Sequence, residues 1–270
     1  MPIGTITVDV LQDYVNKKAQ ILSQKSIREH INLMRQIFES AIEDQLIERN
    51  PCSSTRLQIV GAKSTKVMAY TEQEYHELER LLDYVTDTEK LFLALSLYTG
   101  MRQGELFALQ WEDIDLEKDL IHVTKSVEWA AENQGRIKRP KTENGIRTII
   151  IIPQLADVLT ELKKESGYVL VADRQKEDEP MSHQGVKRLN ERIEQIAEEN
   201  GIKVKFLSHR ARHTIATFLN NAGADDVSIT GIIGHSDVAF TKRQYANTQT
   251  IQLQRGMDKL SDYIAKIAVS

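Results

Sequence analysis

The chain has 270 residues, 41% of them hydrophobic and 27% charged, and a formal net charge of −4. That size suits a small domain beside a larger one, with enough apolar material for ordinary cores. No apolar run approaches the ~18 residues of a membrane span, no stretch reads as a signal peptide, and the single Cys52 permits neither an internal disulfide nor a thiolate zinc site. A soluble cytoplasmic protein without membrane partners is the expectation. The acidic balance does not announce a nucleic-acid binder, although binding depends on where positive charge clusters and not on the sum.

Val8 to Lys17 reads as a short helix with an uncapped start. Ser26 and Glu29 form a capping-box pattern, opening a helix whose stripe of Ile27, Ile31, Met34, Phe38, Ala41 and Ile42 runs toward Leu46. Asn50-Pro51 stops it. Ser53 to Lys66 is polar, contains Gly61 and reads as a linker. A larger domain then opens on a second capping box, Thr71 and Glu74, followed by Tyr75, Leu78, Leu81, Leu82 and Val85. An apolar helix, Leu91 to Tyr98, ends at Thr99-Gly100 and leads straight into Met101-Arg102-Gln103-Gly104-Glu105-Leu106. Leu120 to Val123, Lys125 to Trp129 and Thr148 to Ile152 have strand composition. The polar segment they surround, Glu132 to Arg147, gathers Arg136, Lys138, Arg139, Lys141 and Arg147 against Glu132 and Glu143. Helices follow at about 154 to 165 and, capped by Ser182 and ended by Gly201, at about 183 to 199, with a short strand around Tyr168 to Val171 between them.

The stretch from 207 to 247 carries the densest set of functional side chains. Ser208 reads as the cap of a helix that places His209, Arg212 and His213 on one face and ends by Gly223. Asp225 to Ile233 forms a second helix, stopped by Gly234, with His235 immediately after it. A third short helical segment, opened by Ser236 or Asp237, carries Tyr245 near its end. Guanidinium groups suit the non-bridging oxygens of a phosphodiester, and a phenol with a free pKa near ~10 needs electropositive company to act as nucleophile. A zinc reading of His209 and His213, at i and i+4, is weakened by Arg210, a guanidinium between them where a metalloprotease has glutamate. Taken singly, Tyr245 could be a core tyrosine and Lys138, Arg139 and Lys141 a solvated hairpin.

Taken in order, the motifs resemble the tyrosine recombinase family of phage-type integrases. The matching stretches are Thr99 to Leu106, Pro140-Lys141-Thr142 with Arg147-Thr148-Ile149, His209-Arg210-Ala211-Arg212-His213-Thr214, Ile233-Gly234-His235-Ser236, and Tyr245. The resemblance implies a mainly α fold with a small antiparallel β-sheet, preceded by a short helical domain. Its expected layout is a partial core-binding domain at 1–60, a linker at 61–66, a catalytic domain at 67–247 and a tail helix at 248–270. That tail, with Ile251, Leu253, Met257, Leu260, Tyr263 and Ile264, is expected to dock on a neighbouring protomer, or in a lone protomer to fold back on its own domain. Residues 1–60 look like only the latter part of a core-binding domain.

The same resemblance assigns Tyr245 as nucleophile, Arg102 and Arg212 as the phosphate clamp, His235 as a further phosphate donor, His209 as proton acceptor and Lys141 as general acid, with Lys138 its rival. Glu105 is expected to orient Arg102, His213 to fix the helix of Arg212, and Arg136, Lys138 and Arg139 to touch DNA. The implied partners are double-stranded DNA with attachment-type sites, further copies in a homotetramer on DNA formed from monomers, and a directionality factor or host DNA-bending protein. No cofactor is expected: the phosphotyrosyl ester keeps the bond energy, so ATP is not needed, and the sequence has neither a Walker-type glycine loop nor a paired-carboxylate cluster for magnesium. Two other readings keep similar residues, a type IB topoisomerase and a DNA-binding regulator without catalysis.

Overall fold

The computed structural model describes residues 1–62, 68–129, 134–139, 146–172, 179–234 and 246–267, without the side chains of 246–252. The chain divides into two units, Met1–Lys66 and Val67–Ser270. Each has its own apolar core. Among the described residues no helix is long and apolar enough to cross a membrane.

The first unit is built on α1 (Val8–Lys18) and α2 (Gln24–Glu43). Both are capped, and both caps differ from the sequence expectation. Thr7 accepts from the Val10 amide at 3.4 Å, so α1 does not start bare. Ser23 accepts from the Ser26 amide at 3.2 Å. With that orphan donor satisfied three residues earlier, Ser26 lies inside the first turn and the Ser26–Glu29 capping box does not form. Leu11, Val15, Ile27, Ile31 and Phe38 share a core with Cys52. The polar stretch expected to be a free linker is fastened to these helices: Gln24 Nε2 donates to Ile59 O at 2.7 Å and the Gln24 amide to Ala62 O at 2.8 Å.

The second unit opens on α3 (Glu72–Leu81), where Thr71 and Glu74 make the predicted reciprocal capping box. Next comes α4 (Asp87–Thr99), in which every residue from Leu91 to Thr99 is buried. A helix apolar on all sides is a core element. Around it pack α6 (Pro153–Glu161) and α8 (Ser208–Asn221). The short α5 (Gln103–Leu106) follows α4 at once. Strands β1 (Ile114–Asp115), β2 (Leu120–Val123) and β5 (Arg147–Ile150) form an antiparallel sheet in the order β1-β2-β5, with Ile121 opposite Ile149. A separate antiparallel hairpin joins β3 (Ser126–Trp129) to β4 (Gly135–Lys138).

Helix α7 (His183–Glu199) starts at Ser182, as its capping pattern predicts. The strand expected at Tyr168 to Val171 is only an isolated bridge from Tyr168 to Gln110. Two backbone hydrogen bonds flank it, Trp111 N to Gly167 O at 2.9 Å and Val169 N to Leu109 O at 3.0 Å, and the ladder goes no further. The final elements are α9 (Asp226–Ile233) and α10 (Ala246–Ile267). In the single chain α10 folds back on its own unit, packing on α8, α9 and β5 with Met257, Leu260, Ile264 and Ile267 buried.

Candidate active site

The start of α8 is held by tertiary bonds and not by a serine cap. Ser208 is the first helical residue, and no side chain caps the helix at Leu207. Instead the Tyr70 hydroxyl accepts from the Leu207 amide at 2.8 Å and donates to Lys205 O at 2.9 Å, while Thr214 accepts from the Tyr70 amide at 2.8 Å. This fixes the rotation of α8 and with it the direction of Arg212. The Arg212 side chain turns inward, 6% exposed, and donates from Nη1 to Gly100 O at 2.9 Å. Gly100 ends α4 with φ +61, a left-handed conformation that glycine adopts without strain.

Three guanidiniums gather around one carboxylate. Glu105 Oε1 accepts from Arg102 Nη1 and from Arg147 Nη1, both at 2.9 Å. Its Oε2 accepts from Arg147 Nη2 at 2.7 Å and from the Arg102 amide at 2.8 Å. Four bonds fill the acceptor capacity of the carboxylate. Burial alone would push its pKa up, but Arg147 and Arg102 together outweigh that and hold it below the usual carboxylate range. Glu105 is therefore a fixed anion and a poor proton acceptor. Arg212 lies close enough to feel the cluster. Burial lowers its pKa to about 10, with Arg102 and Arg147 adding to the shift and Glu105 opposing it, so it stays charged at neutral pH. One carboxylate among three guanidiniums leaves an excess of positive charge, which is what an anion would meet.

Arg102 is the exposed member of this set, with 45% of its side chain accessible. Its second terminal nitrogen donates to Gly234 O at the end of α9. Gly234 has φ +71 and terminates α9 directly before His235, and α10 begins directly after Tyr245. Lys141, His235 and Tyr245 themselves lie outside the described residues.

His209 and His213 are exposed on α8, their Nε2 atoms 3.2 Å apart. His213 pairs with His209 across one turn of α8; partial burial first, then the charges of His209 and Arg212, push its pKa down. Arg210 does not stand between the two imidazoles. Its guanidinium binds Glu74 at 2.7 and 2.8 Å and lies over the Tyr70 ring, 4.1 Å from the centroid. Of the two neighbouring arginines, it is Arg212 whose charge acts on His213, beside that of His209. Among the described residues no cluster of three or more His, Cys, Asp or Glu is placed to hold a metal ion.

The hairpin lies against the arginine box. A β-carbon on Gly104 would fall 2.5 Å from Val127 O, so α5 can press onto β3 only with glycine there. Arg136, Lys138 and Arg139 are exposed on β4 and just beyond it. Lys138 is paired with Glu128 across the hairpin, which reduces its availability to a phosphate. Arg147, counted in the sequence with the hairpin's surface charge, is instead 7% exposed and bound to Glu105. It was missed because charge clustering alone says nothing of direction. The available signal was its place at the head of the apolar strand Thr148 to Ile152, where a cation needs a buried partner.

A model of the phage integrase family matches residues 71–251. The chain belongs to the phage integrase family. Within that family it is a tyrosine site-specific recombinase by class, and its homologues carry matching names. A XerC-like tyrosine recombinase of Caldanaerobacter subterraneus subsp. tengcongensis is 27% identical over 97% of this chain and 72% of its own length. The ICEBs1 integrase of Bacillus subtilis is 28% identical over 90% of this chain and 67% of its own length. The fold is that of the Tn1549 transposon integrase in complex with a circular intermediate DNA, with TM-score 0.72, 22% identity and coverage of 96% and 87% of the two chains. A lambda integrase dimer bound to a core site is similar at TM-score 0.60 and 19% identity, over 87% of this chain and 81% of that one.

Proposed function

We propose that this integrase-family protein cuts and rejoins double-stranded DNA at specific sites through a 3′-phosphotyrosyl intermediate on Tyr245. The observation that carries the reading is the cluster of Arg102, Arg147, Arg212 and Glu105, buried except for Arg102, whose surplus positive charge would receive an anion. Preorganised guanidiniums stabilise the charge that develops on a phosphodiester in the transition state, and such donors are worth most where water is excluded. Arg102 and Arg212 would hold the non-bridging oxygens, with His235 adding a hydrogen bond.

In the first step the Tyr245 oxygen attacks phosphorus, the bond to the 5′ oxygen breaks, His209 accepts the phenol proton and Lys141 gives a proton to the leaving oxygen. In the second a 5′ hydroxyl from another strand attacks the phosphotyrosine, releases Tyr245 and reseals the backbone. The bond count is conserved in each step, so the exchange needs no external energy source. Exposed Arg136 and Arg139 would add phosphate contacts without sequence preference. A tetramer on DNA, assembled from monomers, would bring four such sites together.

The test is a nicked suicide duplex carrying the attachment site. The full chain is expected to accumulate a covalent DNA adduct, and Tyr245→Phe to bind the same duplex without forming it. No adduct from the wild-type chain on that duplex would sink the proposal.

A further inference from the structure

We infer that Arg147 is a positioning residue of this site, holding Glu105, and through it Arg102, against the end of α9. The inference rests on the phosphoryl-transfer reading above and assigns a role to a member of the cluster that takes part in neither of its steps. The Arg147 side chain is 7% exposed. It cannot reach a duplex, yet it spends three N–H groups inside the site: Nη1 and Nη2 on Glu105 and Nε on Ile232 O at 3.0 Å.

Arg102 completes a ring. Its Nη1 shares Glu105 Oε1 with Arg147, and its other terminal nitrogen binds Gly234 O, two residues beyond the carbonyl that Arg147 uses. Glu105 is thus tied twice to the last turn of α9, once through each guanidinium. A half-exposed arginine left to itself samples many rotamers, and ordering it during the reaction would cost entropy. Here one of its ends is fixed by a carboxylate that cannot swing, because Arg147 grips both oxygens of that carboxylate. Gly234 belongs to the same arrangement: a β-carbon there would lie 2.9 Å from Arg147 Nη1 and 3.0 Å from Cζ. Lysine could not substitute, since a single ammonium cannot grip both carboxylate oxygens in plane while donating sideways to a carbonyl.

A plain structural ion pair would also be buried, so the test must separate positioning from folding. Adduct formation is measured for wild type, Arg147→Lys, Arg147→Met and the pair Glu105→Gln with Arg147→Met. Two nicked suicide duplexes are used, one with a normal scissile phosphate and one with a neutral methylphosphonate there. The Arg147 variants are expected to bind both duplexes as wild type does and to cleave the phosphate roughly 100-fold more slowly, the scale of a misplaced reacting group. On the methylphosphonate, where Arg102 has less charge to neutralise, the gap between variant and wild type should shrink at least tenfold. The paired variant removes the buried Arg147 charge together with its carboxylate partner, leaving Arg212 on Gly100 O; it is expected to melt closer to wild type than Arg147→Met alone and still to cleave the phosphate slowly. Equal slowing on both duplexes, or wild-type cleavage by the paired variant, would overturn the inference. A wild-type chain that forms no adduct at all contradicts the underlying reading instead, so the two failures are distinct.

Discussion

The guanidinium of Arg147 and the α-carbon of Gly234 are packed so closely that a side chain on Gly234 would have to displace the arginine. The left-handed backbone there, φ +71, adds a second reason for glycine. Gly234→Ala should therefore cost about 1–2 kcal/mol in backbone conformation and also loosen the grip of Arg147 on Glu105. Calorimetry should show a melting point lower by several degrees, at roughly 2–4 °C per kcal/mol for a domain of this size, and suicide-substrate cleavage should slow. A variant that melts and cleaves like wild type would contradict the packing argument.

Glu105 makes stability depend on acid pH. Its folded pKa lies below the unfolded value of about 4.3. Its contribution is then fully present above the unfolded value and is lost as pH falls through the folded one. Glu105→Gln leaves the buried Arg147 guanidinium without its carboxylate, so it should be about 3–5 kcal/mol less stable at neutral pH. Urea midpoints measured from pH 7 down to about pH 3 should converge for the two proteins as wild type loses the carboxylate. Parallel curves would remove Glu105 from the acid response.

The histidine pair is readable by NMR. His213 is held below its ordinary value by burial, by His209 and by Arg212, so it is neutral at pH 7. The unfolded chain takes up this proton first, and the small stability tied to it is present above about pH 6.5 and lost as pH falls below that value. The His213 ring should titrate below a free imidazole, and His209→Gln should move it upward by removing one neighbouring charge. A His213 titration at or above the free value would show that the pair is not formed.

The tail helix is an anchor in this chain. Leu260 is fully buried between α10 and its neighbours, and Lys259 donates to Gly223 O at 2.7 Å. Leu260→Ala should destabilise the larger unit by about 2–5 kcal/mol, while the exposed Asp258→Ala should stay within about 0.5 kcal/mol. Limited proteolysis should release α10 readily from the first variant only. Equal resistance in both would mean that the helix is not seated as described.

Periodicity made the helices legible, since Ile27, Ile31, Leu78 and the apolar run from Leu91 to Leu97 are buried where their spacing put them. Caps were less legible, because Ser23 competes with Ser26 and tertiary bonds from Tyr70 replace a serine cap at Ser208. A run of β-branched and aromatic residues at Tyr168 to Val171 could not reveal that only one bridge would form. Residue types at motif spacing identified Arg102, Glu105 and Arg212, which the structure brings together. Direction was the hidden variable: Arg147 was counted with the basic segment and Arg210 placed between the two histidines, and each is committed to a glutamate.

The central claim is that Tyr245 becomes covalently bound to DNA in a pocket of arginines. Tryptic digestion of the suicide adduct, after nuclease trimming, tests it most directly. Cleavage after Arg243 and Arg255 gives a peptide of residues 244–255 in which Tyr245 is the sole tyrosine. The account predicts a nucleotide remnant on that peptide and on Tyr245. A remnant on another tyrosine peptide, such as the one containing Tyr263, would contradict it.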